Sequence, residues 1–317
     1  MASNAKAYSF TLSNEYRELA RKELREDEGT REQALMQMRE WIEKNPYIKT
    51  CRTDDTFLLK FLRYRKFSVP QATEALERYL VARQKFPEWF RKLDPLEATM
   101  NDILKDGPFV VLGRDQDGRT AILIRYSRFN VDKVTPQSIC RYVLMMMEVL
   151  SEEEEFQIAG TCLWEDHSDM PMKFVGMFSL TELSSILQVL MKTMPVRIRQ
   201  INWINLPKFA AAIANFARAF VSGKVQERII VHATVHEAKT QLHESLWPLE
   251  YGGKIDVDLL NREMIAKLEE KRDFLLALDD MEIHADHYMN LWKENNPHSA
   301  REIDSGIIGS FRKLNVD

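Results

Sequence analysis

The sequence predicts an α/β protein in which an all-helical N-terminal module precedes a domain built on a mixed or parallel sheet. Three observations predict this. Residues 11–92 are rich in charge and carry apolar residues at helical spacing. The texture changes near residue 107, where two strand-like apolar runs flank Asp117-Gly118. Beyond them, helical and strand-like segments alternate as far as residue 233, the pattern of a sheet layered with helices.

In the first region Leu19, Leu24, Ala34, Leu35, Met38, Trp41 and Ile42 form an amphipathic pattern among charges. Asp54 and Asp55 read as N-cap residues for TFLLKFLRYRKF, and Pro70 opens the helix QATEALERYLVARQKF. Pro87 and Pro95 mark the end of this module, which we place at residues 1–95. The segment PFVVLGRDQDGRTAILIRY reads as a β-hairpin, because Asp-Gly between apolar runs favours a tight turn. A helix follows from Pro136, with ICRYVLMMMEVL as its apolar part. Next come a strand at Thr161–Trp164, a helix around Leu180–Met191, and strands at Ile201–Ile204 and Arg228–Ala233. The motif LWPLEYGG at 246–253 closes a second domain of residues 96–256. Residues 257–295 read as one further charged helix with a polar tail, giving a C-terminal extension of 257–317.

Hydrophobic residues make up 45% of the 317 and charged residues 29%, which fits a soluble globular chain with a large core. A net charge of -4 argues against a general nucleic-acid binder, which would be basic over a whole domain. Cys51, Cys140 and Cys162 are odd in number and widely spaced, and Cys140 and Cys162 sit in apolar surroundings, so buried free thiols are expected there rather than a disulfide framework. The N-terminus lacks an apolar run of signal-peptide length, and no stretch reaches the roughly 20 apolar residues of a membrane span. The expected location is the cytoplasm, with any membrane contact peripheral and reversible.

The most informative stretch is PVRIRQINWINLPKFAAAIANFARAFVSGKVQER, residues 195–228. Phe209, Ile213, Phe216 and Phe220 recur at helical spacing as one apolar stripe. Lys192, Arg197, Arg199, Lys208, Arg218, Lys224 and Arg228 surround it against a single acid, Glu227, a local balance of 7 - 1 = +6. An apolar face beside concentrated positive charge is what docking on an anionic membrane requires. An ordinary packed helix with solvated basic flanks has the same composition.

Signals of catalysis are absent. There is no Gly-x-Ser-x-Gly elbow and no phosphate-cradling Gly-x-x-x-x-Gly-Lys loop. His232 and His236 are four apart in a strand running into a loop, and no third metal ligand accompanies them. Glu152–Glu155 reads as a solvated helix end or loop. Neither an enzyme nor a metal site is expected.

Four segments resemble the CRAL-TRIO, or Sec14-like, lipid-binding family. DDTFLLKFLRYRKFSVPQATEAL is similar to its helical N-terminal module, and FVVLGRDQDGRTAILIRY to its first hairpin. PVRIRQINWINLPKF is similar to the strand that leads into its gate helix, and ERIIVH with WPLEYGG to its closing strand and turn. The resemblance covers roughly residues 50–253, in family order and spacing, and is nearest the subfamily of the α-tocopherol transfer protein and the cellular retinaldehyde-binding protein. It implies a mixed-sheet floor and helices around one apolar cavity, closed by a mobile gate helix at about Pro207–Val221 bearing Phe209, Ile213, Phe216 and Phe220.

The resemblance also implies site residues. Cys140, Leu144, Met147, Thr161, Leu163, Glu165, Phe178, Ile186, Val189, Leu190, Met194, Ile198 and Ile201 would line the cavity. Arg197, Arg199, Lys224 and Arg228 match residues that hold phosphoinositide headgroups in the tocopherol relative. Residues 197 and 199 share a strand face and could converge on one phosphate, and Lys224 and Arg228 would lie one helical turn apart. Read alone, Glu165 favours a solvent-facing loop acid beside Asp166 and Asp169; by resemblance it reaches the cavity. Val143 and Met147 stand where the tocopherol relative has serines, which removes that ligand's polar anchors. The implied function is carriage of a hydrophobic small lipid, tocopherol-, retinoid- or carotenoid-like, to phosphoinositide-bearing membranes, with no cofactor beyond that lipid. The alternatives are a phosphatidylinositol or phospholipid exchanger, a lipid-regulated scaffold using the charged tail, and an enzyme using Glu165.

Overall fold

A computed structural model of the chain describes residues 8–208 and 223–288. Five helices and one short strand come first: α1 (Asn14–Leu24), α2 (Glu28–Lys44), β1 (Ile48–Thr50), α3 (Asp55–Tyr64), α4 (Val69–Lys85) and α5 (Pro87–Phe90). Asp54 caps α3, its side chain accepting from the Phe57 N–H, and Pro70 lies in the first turn of α4. α3 is buried continuously from Phe57 to Arg63 because helices and the second domain surround it.

α6 (Ala98–Asp106) leads into the hairpin β2 (Phe109–Arg114) and β3 (Thr120–Arg125). α7 (Pro136–Leu150), α8 (Glu154–Ala159), β4 (Thr161–Asp166), α9 (Met172–Gly176), α10 (Leu180–Thr193) and β5 (Ile198–Ile204) follow. After residue 222 come α11 (Gly223–Gln226), β6 (Ile229–His232), α12 (Val235–Ala238), α13 (Val257–Glu270), α14 (Arg272–Ala277) and β7 (Glu282–Ile283). Strands β2 to β6 form one sheet in chain order, antiparallel at β2–β3 and parallel thereafter. Parallel pairs require crossovers, which α7–α8 supply between β3 and β4 and α9–α10 between β4 and β5.

Because side chains alternate along a strand, the sheet has two different faces. Val110, Leu112, Ala121, Leu123, Trp164 and Ile204 point into a packed core completed by Trp247, which meets Trp164 edge-on at 5.4 Å. The other face turns toward α7 and α10.

Three expectations change. Residues 257–288 are not one helix: α13 and α14 are separate, and the chain then returns to pair β7 with β1. The two-residue β7 is too short to show a period. Glu152–Glu155 is not a solvated run. Glu152 pairs with Arg52 at 2.9 Å, Glu154 with the buried Arg63 at 2.8 Å, and Glu153 with Arg114 and Lys267. These acids tie the helical module and α13 to the sheet domain. Arg228 does not extend the helix of Lys224, since α11 ends at Gln226 and Arg228 precedes β6.

A buried ionic group also joins the two regions. Glu148 of α7 accepts from the Tyr79 hydroxyl at 2.6 Å and faces Lys60 at 3.3 Å and Arg83 at 3.4 Å. Burial alone would raise the Glu148 pKa, but Lys60 and Arg83 reverse that and hold it low. The network fixes α7 against α3 and α4 from behind while its opposite face meets the cavity.

Candidate functional site

The face of the sheet toward α7 and α10 floors a cavity of about 350 Å3, within the range of small-molecule sites. Thr161, Leu163 and Glu165 alternate along β4 and all point into it, as do Phe109 of β2 and Ile124 of β3. β5 contributes Ile198, Ile201 and Trp203. Ile198 and Ile201 are three apart, which strict alternation would place on opposite faces. A register shift restores the match: Thr161 pairs with Ile198 and the next residue, Cys162, pairs with Gln200. The extra residue at this irregularity is Arg199.

Two helices wall the cavity. From α7 come Ile139, Cys140, Val143 and Met147, a helical stripe. From α10 come Leu183, Ile186, Leu187, Leu190, Met191 and Met194 at the helix's end. Met170, Phe174, Val175 and Phe178 close one end.

Of the lining implied by resemblance, Cys140, Met147, Thr161, Leu163, Glu165, Phe178, Ile186, Leu190, Met194, Ile198 and Ile201 stand in this wall. Leu144 and Val189 do not; both are buried in the packed core, rotated off the stripes of their helices. Tyr126, His167, Phe174 and Trp203 belong to the wall although the sequence reading missed them. Two-residue spacing was the available signal, Tyr126 following Ile124 and Trp203 following Ile201. The gate stripe Phe209, Ile213, Phe216 and Phe220 lies outside the described residues.

Glu165 is not a solvent-facing loop acid. It sits inside β4 and lines the cavity, so its uncovered surface faces the void. The Tyr126 hydroxyl donates to it at 2.9 Å, and Trp203 is a second donor. Burial raises its pKa against the opposing influence of His167 and these hydrogen bonds. His167 stacks on Tyr126 at 4.7 Å, and its Nδ1 lies 3.2 Å from the Ile204 carbonyl oxygen. A carbonyl only accepts, so Nδ1 donates to it. Thr161 spends its hydroxyl proton on the Thr120 carbonyl at 2.8 Å. The cavity is therefore largely apolar, with Glu165, Tyr126 and His167 together at one end, where the Tyr126 hydroxyl and His167 Nδ1 are already engaged by protein, and with the engaged hydroxyl of Thr161 at the other end of β4.

The basic cluster lies at the start of β5, away from the polar end. Arg197 and Arg199 do converge, but on a carboxylate of the protein. Arg197 Nη2 is 2.7 Å from Glu23 Oε2, and Arg199 reaches Glu23 Oε2 and Oε1 at 2.7 and 3.0 Å. Arg197 also donates to the Ile158 carbonyl and Arg228 to the Ile198 carbonyl. Lys224 is exposed. Gly160 makes this packing possible: at φ 81°, a Cβ placed there would stand 2.3 Å from the Arg197 carbonyl oxygen. His232, considered above as a metal ligand, is buried with Nε2 3.0 Å from Asn202 Oδ1, and no metal-binding group of side chains occurs among the described residues. Cys140 and Cys162 are buried free thiols, with burial pushing each pKa up to about 12.

Family models and curated relatives match this chain. A CRAL/TRIO domain model matches residues 104–253, and a Pinta-like UBA domain model matches residues 27–100. Clavesin-2 of Homo sapiens is 29% identical over 302 residues, covering 93% of this chain and 91% of its own length. Clavesin-1 of Xenopus laevis is 31% identical over 246 residues, covering 77% of this chain and 74% of its own. Among solved structures, the crystal structure of Sfh5 aligns over 80% of this chain and 93% of its own at 14% identity, with a TM-score of 0.47. Among the described residues no helix is long and apolar enough to cross a membrane. The chain belongs to the CRAL-TRIO family of Sec14-like lipid-binding and lipid-transfer proteins.

Proposed function

We propose that this protein is a carrier for a small hydrophobic lipid of tocopherol, retinoid or carotenoid type, which it unloads at phosphoinositide-containing membranes. The observation that carries the reading is the cavity itself, apolar along α7 and α10, with its ionisable side chains Glu165 and His167 grouped at one end. Burial of the hydrocarbon supplies affinity at about 25 cal/mol per Å2, and one polar group on the cargo meets Glu165 and His167 at that end. A phospholipid exchanger would need partners for a charged headgroup inside the cavity, and the described lining carries no lysine or arginine.

In this reading the stripe Phe209, Ile213, Phe216 and Phe220 belongs to a gate that opens on contact with a bilayer, shifting the population from closed to open. Arg197, Arg199, Lys224 and Arg228 hold the headgroup. The protein acts without catalysis or cofactor, in the cytoplasm and reversibly on membranes. The test is transfer of fluorescent tocopherol and retinol analogues from the loaded protein to vesicles with and without phosphatidylinositol bisphosphate. Loading at one ligand per chain and faster unloading with the bisphosphate are expected. Phe216→Asp should leave loading intact and slow unloading about tenfold, since a charge resists entry into the bilayer boundary. Absence of loading by either analogue overturns the cargo assignment, and unchanged unloading by Phe216→Asp overturns the gate.

A further inference from the structure

The basic cluster contains its own anion. Glu23, near the end of α1, is held by three hydrogen bonds from two guanidinium groups, although Arg197 and Arg199 lie 174 and 176 residues away in sequence. Burial would raise the Glu23 pKa, but the bonds and charges of Arg197 and Arg199 reverse this and hold the carboxyl below its usual range. It is therefore ionised at neutral pH. Arg228 presses on the same group: it acts electrostatically on Arg197 and Arg199, with Glu227 opposing on its own side. Two guanidinium groups thus chelate one carboxylate while Arg228 adds a third positive charge beside them without bonding to it, and the pKa values of Arg197 and Arg228 fall through burial and repulsion from neighbouring arginines. The cluster is under-neutralised as built.

The mounting of α1 matters. Ala20 and Leu24 are buried with Ile158 of α8, which anchors the C-terminal end of the helix, and the Tyr16 hydroxyl bonds the Gly118 carbonyl at 3.0 Å. The Glu23 side chain nonetheless keeps 28% exposure and that of Arg199 31%, whereas Arg197 keeps 8%. The carboxylate can swing out to water without unfolding α1, and the space it leaves opens to solvent beside Arg199.

We propose that Glu23 is a specificity-determining residue of this anion site, a tethered carboxylate that an incoming phosphate must displace. This rests on the reading of Arg197 and Arg199 as the headgroup site. The competition is intramolecular, so Glu23 acts at high effective concentration. A ligand group of single charge, such as a phosphodiester or the carboxylate of phosphatidylserine, offers no more charge than Glu23 and loses to it. A phosphate monoester carries about -1.5 to -2 and three acceptor oxygens, and two such groups also engage Arg228. The site therefore admits a polyphosphate headgroup and rejects singly charged lipids.

The test is sedimentation of the full chain with phosphatidylcholine vesicles carrying either phosphatidylserine or phosphatidylinositol bisphosphate at matched surface charge. Wild type should bind the bisphosphate vesicles and only weakly the phosphatidylserine vesicles. Glu23→Gln should gain about tenfold on phosphatidylserine and no more than about threefold on the bisphosphate, because removing the competitor helps the weaker ligand most. Glu23→Asp, which keeps the charge, should retain the wild-type preference and so separates competition from loosening of α1. Arg199→Ala, chosen because Arg197 also caps a buried carbonyl, should lose binding to the bisphosphate vesicles. If Arg199→Ala binds like wild type, the headgroup reading itself fails. If Arg199→Ala loses binding but Glu23→Gln keeps the wild-type preference, the headgroup reading stands and the role of Glu23 is overturned. Soluble inositol trisphosphate, titrated in parallel, distinguishes the source. Tight binding without vesicles identifies a free polyphosphate, and binding confined to vesicles identifies a lipid headgroup; both support the competition.

Discussion

The two faces of strand β4 are built from the same six residues and do opposite work. Cys162, Trp164 and Asp166 turn to the side where Trp164 is sealed against Trp247, leaving it 1% exposed. Thr161, Leu163 and Glu165 turn to the side where about 350 Å3 stays open. Both faces follow the two-residue period, and on both sides the strand belongs to a largely apolar sheet surface. The difference lies in what covers them. One face is filled by bulky side chains from the chain's last third, whereas α7 and α10 stand over the other and leave space between them. A solid face gives stability, and the hollow face leaves apolar surface uncovered for a ligand.

Truncation should break this symmetry. Trp164→Ala empties a filled site and should cost about 3–5 kcal/mol, read as a lowered midpoint in chemical denaturation. Leu163→Ala, one residue away, should cost less than about 2 kcal/mol, because much of its surface already borders a void. Leu163→Ala should also alter lipid affinity, and Trp164→Ala should do so only through lost folding. Equal stability losses at the two positions would show that the hollow face is packed in solution.

A smaller effect sharpens the comparison electrostatically. The folded-state pKa of Glu165 is raised by burial, so between its unfolded and folded values the native state holds more protons than the unfolded chain. Stability from this group is full below the ordinary glutamate pKa and is lost as pH rises through the folded value. Glu165→Gln should remove that fall, so wild type loses stability relative to Glu165→Gln as pH rises from the glutamate range toward neutrality. Parallel melting curves across this range would contradict the enclosed position of the carboxyl.

Much of this arrangement is written in local pattern. Asp54 and Pro70 mark helix starts, Asp117-Gly118 marks the hairpin, and alternation from Thr161 to Glu165 marks a strand with a consistent inner face. Other features have no local trace. Alternation says that Leu163 and Trp164 face opposite ways, and not which side is hollow. Glu23 reads as one acid in a charged helix until the fold brings Arg197 and Arg199 to it. Glu152–Glu155 looks like a solvated run because the basic side chains that neutralise it come from elsewhere in the chain. Leu144 and Val189 sit beside true wall residues on their helices, and a rotation of one position takes a side chain from cavity to core.

The central claim is that the hollow face holds a small lipid with one polar end. It is tested most directly by mass spectrometry of the organic extract from the protein purified out of its native tissue. The account predicts one dominant isoprenoid-type lipid, near one per chain, lost in a variant that fills the floor, Leu163→Trp. Recovery of phospholipid alone, undiminished in Leu163→Trp, would contradict it.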